Sequence, residues 1–262
     1  MNRETALAAQ AGQGALTGRR VLYTGASGGL GHQTTLDLLA AGADVFALDR
    51  DHSKNESLLA DVPPDQTGRL HLLEMDLTDQ DRLEARLGEI AAEGPIDVVI
   101  NNAAIYPSKP FEEFSMEELR HVHQVNVEAA LICTRAALPG MRDQGWGRIV
   151  NVTSITLTGG WENLVPYVQS KGSLLGLTRA WAREFGKWGI TCNAIAPGAF
   201  PTDAEKIHPD PEGYTRFVLD HQAVKRRGTP HDIAATILFL TSEGAGFITG
   251  QNIAVDGGWN MT

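Results

Sequence analysis

Short apolar runs alternate along the chain with longer stretches of helical periodicity. RRVLYTG (19–25) reads as a strand, and LGHQTTLDLLAAG (30–42) as a helix with Leu30, Leu36, Leu38 and Leu39 on its apolar face and Gly42 as its stop. DVFALD (44–49) and RLHLLEMD (69–76) read as the next two strands. A helix through 79–94 leads to IDVVINN (96–102), a fourth strand. A long helix over 115–141 precedes the strand GRIVNVTS (147–154). A helix over about Val165–Trp188, the strand GITCNAIAP (189–197), a helix at about Pro230–Ser242 and a last strand in NIAVDGG (252–258) complete the pattern.

The strands are apolar throughout rather than at every second position. That indicates burial on both faces, which in a strand–helix alternation means a parallel sheet. Seven such strands with helices on both sides predict one doubly wound α/β domain, spanning 19–262 after a flexible lead-in over 1–18. The one long stretch without clear periodicity, about 199–228, is rich in Pro, Asp and Gly and reads as a substrate lid.

Composition narrows the function. The formal charge of −10 argues against a nucleic-acid surface, which needs a basic stripe. Two cysteines, Cys133 and Cys192, form neither a disulfide framework nor a zinc signature, and no metal site is expected. The first twenty residues lack the apolar core of a secretory signal, and no later run approaches a membrane span, so the expectation is a cytoplasmic protein without a membrane partner.

TGASGGLG (24–31) joins the first strand to its helix, with Gly25, Gly29 and Gly31 spaced GxxxGxG. Glycines let backbone approach a pyrophosphate, and a helix N-terminus offers N–H groups and a positive dipole end; a tight turn without ligand is the plainer alternative. Asp49 ends the second strand, about twenty residues on, where a carboxylate accepts hydrogen bonds from the adenosine ribose and repels a 2′-phosphate. Arg50 argues the other way, since a guanidinium there binds that phosphate. The balance favours NAD over NADP. Asp49 as a helix cap beside a solvated Arg50 is the competing reading.

The set TGASGGLG, NNAA (101–104), Asn126, Ser154, Tyr167-x-x-x-Lys171 and NAIAPG (193–198) resembles the classical short-chain dehydrogenases/reductases over about residues 18–260. Ala104 stands where that family usually has glycine, and Pro201 is also unusual. The resemblance implies a single Rossmann-type domain with strand order 3-2-1-4-5-6-7 and a homotetramer. It also implies catalysis by Asn126, Ser154, Tyr167 and Lys171. Tyrosine and lysine four apart share a helix face. A nearby ammonium, with the positive charge of an oxidised nicotinamide, lowers the ordinary phenol pKa of about 10, so Tyr167 becomes the acid/base that exchanges the alcohol proton while hydride passes to or from nicotinamide. Ser154 would hold the reacting oxygen, Asn126 a water leading from Lys171 to solvent, and Lys171 the nicotinamide ribose. Cofactor contacts carry over to Gly25, Ser27, Gly28, Gly29, Leu30 and Gly31 at the phosphates. Asp49, Arg50, Asp76, Leu77, Asn102, Ala103 and Ala104 fall on the adenosine side. Pro197, Gly198, Phe200 and Thr202 border the carboxamide, with Tyr167 and Lys171 beside them. Taken singly, each of these has a structural reading as core aromatic, solvated lysine or strand-end cap.

Topology places the substrate between Ile105–Tyr106, Ile155–Thr158, Trp161–Glu162 and the lid. Ser154, Thr156, Trp161, Glu162 and Tyr167 are its candidate contacts. An aromatic face with a carboxylate suits a polyhydroxylated ring, and Lys206, His208, Arg216 and His221 give the lid groups for anionic or hydroxylated ligands. The expectation is an NAD-dependent dehydrogenase of a sugar or polyol, including oxidation of an aldose to its lactone. An NADPH-dependent reductase of oxoacyl or keto substrates and a non-catalytic NAD-binding regulator are the alternatives; the regulator would have lost the Tyr–Lys pair.

Overall fold

The structure, a computed structural model, describes residues 14–202, 205 and 210–261. The predicted lead-in therefore falls largely outside the described residues. What is described of it is anchored: Leu16 is 1% exposed and its N–H donates to the Ala41 carbonyl at 3.1 Å.

Seven strands form one all-parallel sheet in the order β3-β2-β1-β4-β5-β6-β7. They are β1 (Arg20–Thr24), β2 (Asp44–Asp49), β3 (Leu70–Glu74), β4 (Val98–Asn101), β5 (Gly147–Val152), β6 (Ile190–Pro197) and β7 (Asn252–Val255). Every residue of β4, β5 and β6 is buried, as continuous apolar runs require, whereas the edge strand β7 is only partly covered. Successive side chains point to opposite faces and feed two cores. Leu22, Phe46, Val99 and Ile149 meet Leu83, Leu87, Cys133, Met141 and Phe185, from α3 (Gln80–Glu93), α5 (Ala129–Gln144) and α7 (Val165–Phe185), the last two separated by β5 and the single turn α6 (Thr156–Gly159). Val21, Tyr23, Val45, Ile100 and Val150 meet Leu38, Leu39, Ile233 and Ile237, from α1 (Gly31–Ala40) and α9 (Pro230–Thr241).

Three elements differ from the pattern reading. A helix unseen in the periodicity, α2 (His52–Asp61), joins β2 to β3; it buries only Asn55 and Leu58, too few to mark a face. The expected continuous helix over 115–141 is α4 (Met116–His123), a π-helical turn over Gln124–Glu128, and then α5. Within the predicted lid, Pro211–His221 forms a helix, α8, opened by Pro211 and capped by the Asp210 carboxylate on Gly213 N at 2.8 Å. No helix among the described residues is long and apolar enough to cross a membrane.

Candidate active site

A cavity of about 710 Å³ runs along the carboxyl ends of the strands, where ligands of open α/β sheets bind. Its walls bring the predicted residues together. At one end stand Gly25, Gly28, Gly29 and Leu30, with Asp49, Arg50, Asp76 and Leu77 beside them. Asn102, Ala103 and Ala104 continue the wall from β4. Ser154, Thr156, Tyr167, Lys171 and Trp161 occupy the other end, with Ile105, Tyr106 and Ile155. Pro197, Gly198, Phe200 and Thr202 close the side towards the lid.

The glycine loop is shaped for close approach. Gly25 has φ 68°, and a Cβ there would meet Asn102 Nδ2 at 2.8 Å. The Asn102 amide donates to the carbonyls of Thr24 and Gly25 at 3.2 and 3.0 Å, tying the end of β4 to the loop. Gly31 lies outside the cavity wall and serves packing: its Cβ would fall 2.1 Å from the Gly25 carbonyl oxygen. Ser27 is likewise buried rather than facing the cavity, its hydroxyl donating to Asn55 Oδ1 at 2.6 Å. Leu30, at the N-cap of α1, supplies no capping side chain; His32 N donates to the Gly28 carbonyl at 2.8 Å, and the N-terminal end of the helix dipole faces the loop.

Asp49 is oriented by two backbone amides, Ser27 N on Oδ2 at 3.3 Å and Asp51 N on Oδ1 at 3.1 Å. The helix cap at this point is Asp51, whose carboxylate accepts from Lys54 N at 3.2 Å, which removes the capping alternative for Asp49. Asp51 and Lys54 also face the cavity, two neighbours that sequence reading missed because the helix carrying them was not evident. Asp76 is held below the usual carboxylate range by the Thr78 amide and hydroxyl, at 2.9 and 2.8 Å, with a smaller contribution from Arg50. Glycine loop, uncapped helix start and oriented carboxylate together fit a dinucleotide.

At the reacting end, fully buried β5 delivers Ser154, 7% exposed, to the cavity. Its Oγ accepts from Thr156 N at 3.1 Å, and it shares the cavity wall with Tyr167. α7 starts after Asn163, whose φ of 62° turns the chain, and Pro166 sits in its first turn. That places Tyr167 and Lys171 one turn apart, with Lys171 Nζ 5.4 Å from the Tyr167 ring centroid. Tyr106 packs edge-on against Tyr167, ring centroids 6.0 Å apart.

The electrostatics depart from expectation. Burial raises the Tyr167 pKa, the Ser154 hydrogen bond opposes that rise, and Lys171 does not dominate. Lys171 is itself 1% exposed, and burial pulls it down to about 7 although Nζ donates to the Val152 carbonyl at 2.7 Å. Both groups are desolvated together, so each favours its neutral form.

Asn126 is fully bonded through its side chain. It lies in the π-helical turn, outside the cavity wall, and its amide is taken up by both backbone groups of Ile105 and by Ser170 Oγ. The side chain is a strap between the wall and the helix of Tyr167 and Lys171. Glu162 is exposed and does not reach the cavity, nor do Leu157 and Thr158. Arg216 is exposed beside Asp210 and Glu212, and His221 stacks on Trp259 with ring centroids 5.2 Å apart. Lys206 and His208 lie outside the described residues. The lid does contribute Ala199, Glu205 and Tyr214 to the wall, and Leu48, Met75, Pro107, Val125, Val152, Thr153 and Leu164 complete it.

A dinucleotide-shaped cavity ending in a Ser–Tyr–Lys group defines a nucleotide-dependent oxidoreductase site. The family profile described as enoyl-(acyl carrier protein) reductase matches residues 25–260. With that match and the relatives below, the chain belongs to the classical short-chain dehydrogenase/reductase family, whose members bind NAD(P). It is 32% identical over 251 residues to the 2-keto-3-deoxy-L-fuconate dehydrogenase of Xanthomonas campestris, covering 94% of this chain and 81% of that one. It is also 32% identical over 244 residues to the D-xylose 1-dehydrogenase of Caulobacter vibrioides, covering 93% and 96%. A provisionally assigned NAD(P)-dependent gluconate 5-dehydrogenase of Beutenbergia cavernae, solved with NADP at low occupancy, superposes with TM-score 0.87 at 34% identity, covering 93% and 97%.

Proposed function

We propose that the chain is a dehydrogenase of a secondary alcohol or hemiacetal carbon in a sugar or polyol, including oxidation of an aldose to its lactone, with Tyr167 as acid/base. The single observation carrying this reading is that Ser154, Tyr167 and Lys171 meet on the wall of a cavity that also contains the glycine loop. When bound, NAD supplies the carbon that accepts hydride from the substrate C–H bond. Ser154 holds the reacting oxygen, and the O–H proton passes to the Tyr167 phenolate as C–O becomes C=O. In reduction the buried phenol, which keeps its proton readily, donates it to the carbonyl oxygen. Lys171 lies close enough to the ring to stabilise the phenolate when protonated, and to meet the cofactor ribose.

The oriented Asp49 carboxylate supports a preference for NAD, since it offers acceptors to ribose hydroxyls and repels a 2′-phosphate. Arg50 and Lys54 on the same wall, with the NADP-bound neighbour, support use of NADP as the second reading. The proposal includes a cytoplasmic homotetramer, supported by apolar side chains left exposed on helices and near the sheet edge, such as Met116, Leu131, Phe239 and Phe247; light scattering at the monomer mass would remove the tetramer.

The test is absorbance of reduced nicotinamide with NAD and with NADP across aldoses, polyols, sugar acids, and oxoacyl and other ketones. Turnover of sugars or polyols with NAD is expected. Turnover of oxoacyl substrates alone would transfer the site to a carbonyl reductase, and cofactor binding without any turnover would make it a regulator.

A further inference from the structure

A carboxylate from the lid lines the cavity, but it is not the one the sequence suggested. Glu162 points to solvent, whereas Glu205, from the loop after β6, lies in the cavity wall. Its location is fixed by Arg227, which forms an ion pair with Glu205 and donates through the same Nη2 to the Ala199 carbonyl at 3.3 Å. Ala199 directly follows Gly198 at the exit of β6, and Thr202, whose carbonyl accepts from Glu205 N at 3.0 Å, lies against Gly29, so the pair stands between the glycine loop and the reacting end. Both side chains are largely withdrawn from solvent, 17% exposed for Arg227 and 19% for Glu205.

Arg227 stands behind the wall and does not line it. Its Nη1 is spent on Thr215 Oγ1 at 3.1 Å, and its guanidinium carbon lies 5.8 Å from the Tyr214 ring centroid. The surface offered to a ligand is therefore the carboxylate, with Tyr214 from α8 beside it. Trp161 supplies a further aromatic surface of the cavity and is backed by Trp259 at 5.8 Å between ring centroids. Trp259 in turn packs on Phe217 and His221 of α8, which ties the lid helix to the aromatic wall.

Among the described residues, the basic side chains lining the cavity are Arg50 and Lys54 beside Asp49, and Lys171, whose Nζ is bonded to Val152. An uncharged polyhydroxylated ligand finds here apolar ring faces and a hydroxyl acceptor. A sugar acid would set a second carboxylate beside Glu205, which costs both desolvation and like-charge repulsion.

Resting on the sugar or polyol reading above, we infer that Glu205 is the specificity-determining residue: it accepts hydrogen bonds from hydroxyls of an uncharged aldose or polyol and excludes sugar acids. This separates the chain from relatives whose names denote action on gluconate or a keto-deoxy sugar acid, and sets it with those named for an aldose.

The experiment compares D-xylose, sorbitol and D-gluconate by kcat/KM, and by quenching of tryptophan fluorescence, for the unsubstituted protein, Glu205→Gln and Arg227→Gln. The unsubstituted protein is expected to favour an uncharged substrate over gluconate by about 100-fold. Glu205→Gln removes the charge and frees Arg227, and should narrow that ratio by at least about tenfold in both readouts. Arg227→Gln leaves the carboxylate without its partner and should keep gluconate excluded. Gluconate preferred by the unsubstituted protein, or both variants weakening all three ligands alike, would reduce Glu205 to a brace of the lid and overturn the inference while leaving a sugar dehydrogenase intact. Turnover of ketones with none of the three ligands bound would overturn both readings together.

Discussion

Asn126 clasps Ile105 by both ends of its amide: Oδ1 accepts from Ile105 N at 2.8 Å and Nδ2 donates to Ile105 O at 2.9 Å. Nδ2 also reaches Ser170 Oγ at 2.9 Å, in the helix that carries Tyr167 and Lys171. The residue thus ties a wall of the cavity to the helix of Tyr167 and Lys171 through a local π-helical turn, a distortion often found at functional sites. Asn126→Ala leaves both Ile105 groups without that partner. We expect a loss of about 2 kcal/mol in stability, from the buried hydrogen bonds, and a rise in KM larger than the fall in kcat. Urea unfolding and steady-state kinetics check this; a fall confined to kcat would return Asn126 to the proton path.

Ser154 is the group on this chain that opposes the upward pull of burial on Tyr167. Ser154→Ala should therefore move the alkaline rise of the oxidation rate to higher pH and lower kcat at neutral pH by about 100-fold. Tyr167→Phe should lower turnover by about 1000-fold or more at every pH while leaving dinucleotide affinity within about twofold. A pH–rate profile unmoved by the serine change would detach Ser154 from the titration of the tyrosine.

The parts of the site legible in the sequence are those whose geometry is local. Tyr167 and Lys171 are one turn apart whatever surrounds them, and the glycines of 25–31 must form a strand-to-helix turn. Strand order followed from the family resemblance, not from periodicity. What escaped reading depends on tertiary contacts. α2 has only Asn55 and Leu58 buried, so no face repeats strongly enough to show, and Lys54 went unseen with it. The π-helical turn is one extra residue per turn inside an otherwise regular pattern, which a periodicity window averages away. A carboxylate was expected beside the aromatic wall, but Glu162, the nearest in sequence, faces solvent, and Glu205 reaches the cavity through a partner 22 residues further on. Spacing alone also hides that burial acts on both members of the Tyr167–Lys171 pair, raising the one pKa and lowering the other, because it carries no measure of burial.

Asp49 is presented to the cavity by the amides of Ser27 and Asp51, so its charge is fixed in place at the end of β2. Asp49→Ala removes the acceptor and leaves Arg50 and Lys54 to meet a 2′-phosphate. The ratio of kcat/KM for NAD over NADP should fall by about tenfold, mostly through the KM of each cofactor. An unchanged ratio would show that cofactor choice is made elsewhere.

Lys171 is buried with a pKa of about 7, far below its ordinary 10.5. The unfolded chain therefore binds this proton more tightly than the folded one. Below pH 7 both states carry it and the folded protein bears the full cost of a buried charge; between pH 7 and 10.5 the unfolded state holds more protons, and the group's contribution to stability rises with pH. Lys171→Met removes that cost together with the bond from Nζ to the Val152 carbonyl, worth about 1 kcal/mol. We expect the variant to lose turnover yet to match or exceed the parent in stability at pH 7, and its stability to climb less between pH 7 and 10. Urea midpoints at pH 6, 8 and 10 for both proteins measure this. Parallel curves would mean that the lysine keeps an ordinary proton affinity in the fold, and with it the stronger grip on the tyrosine that the sequence alone suggested.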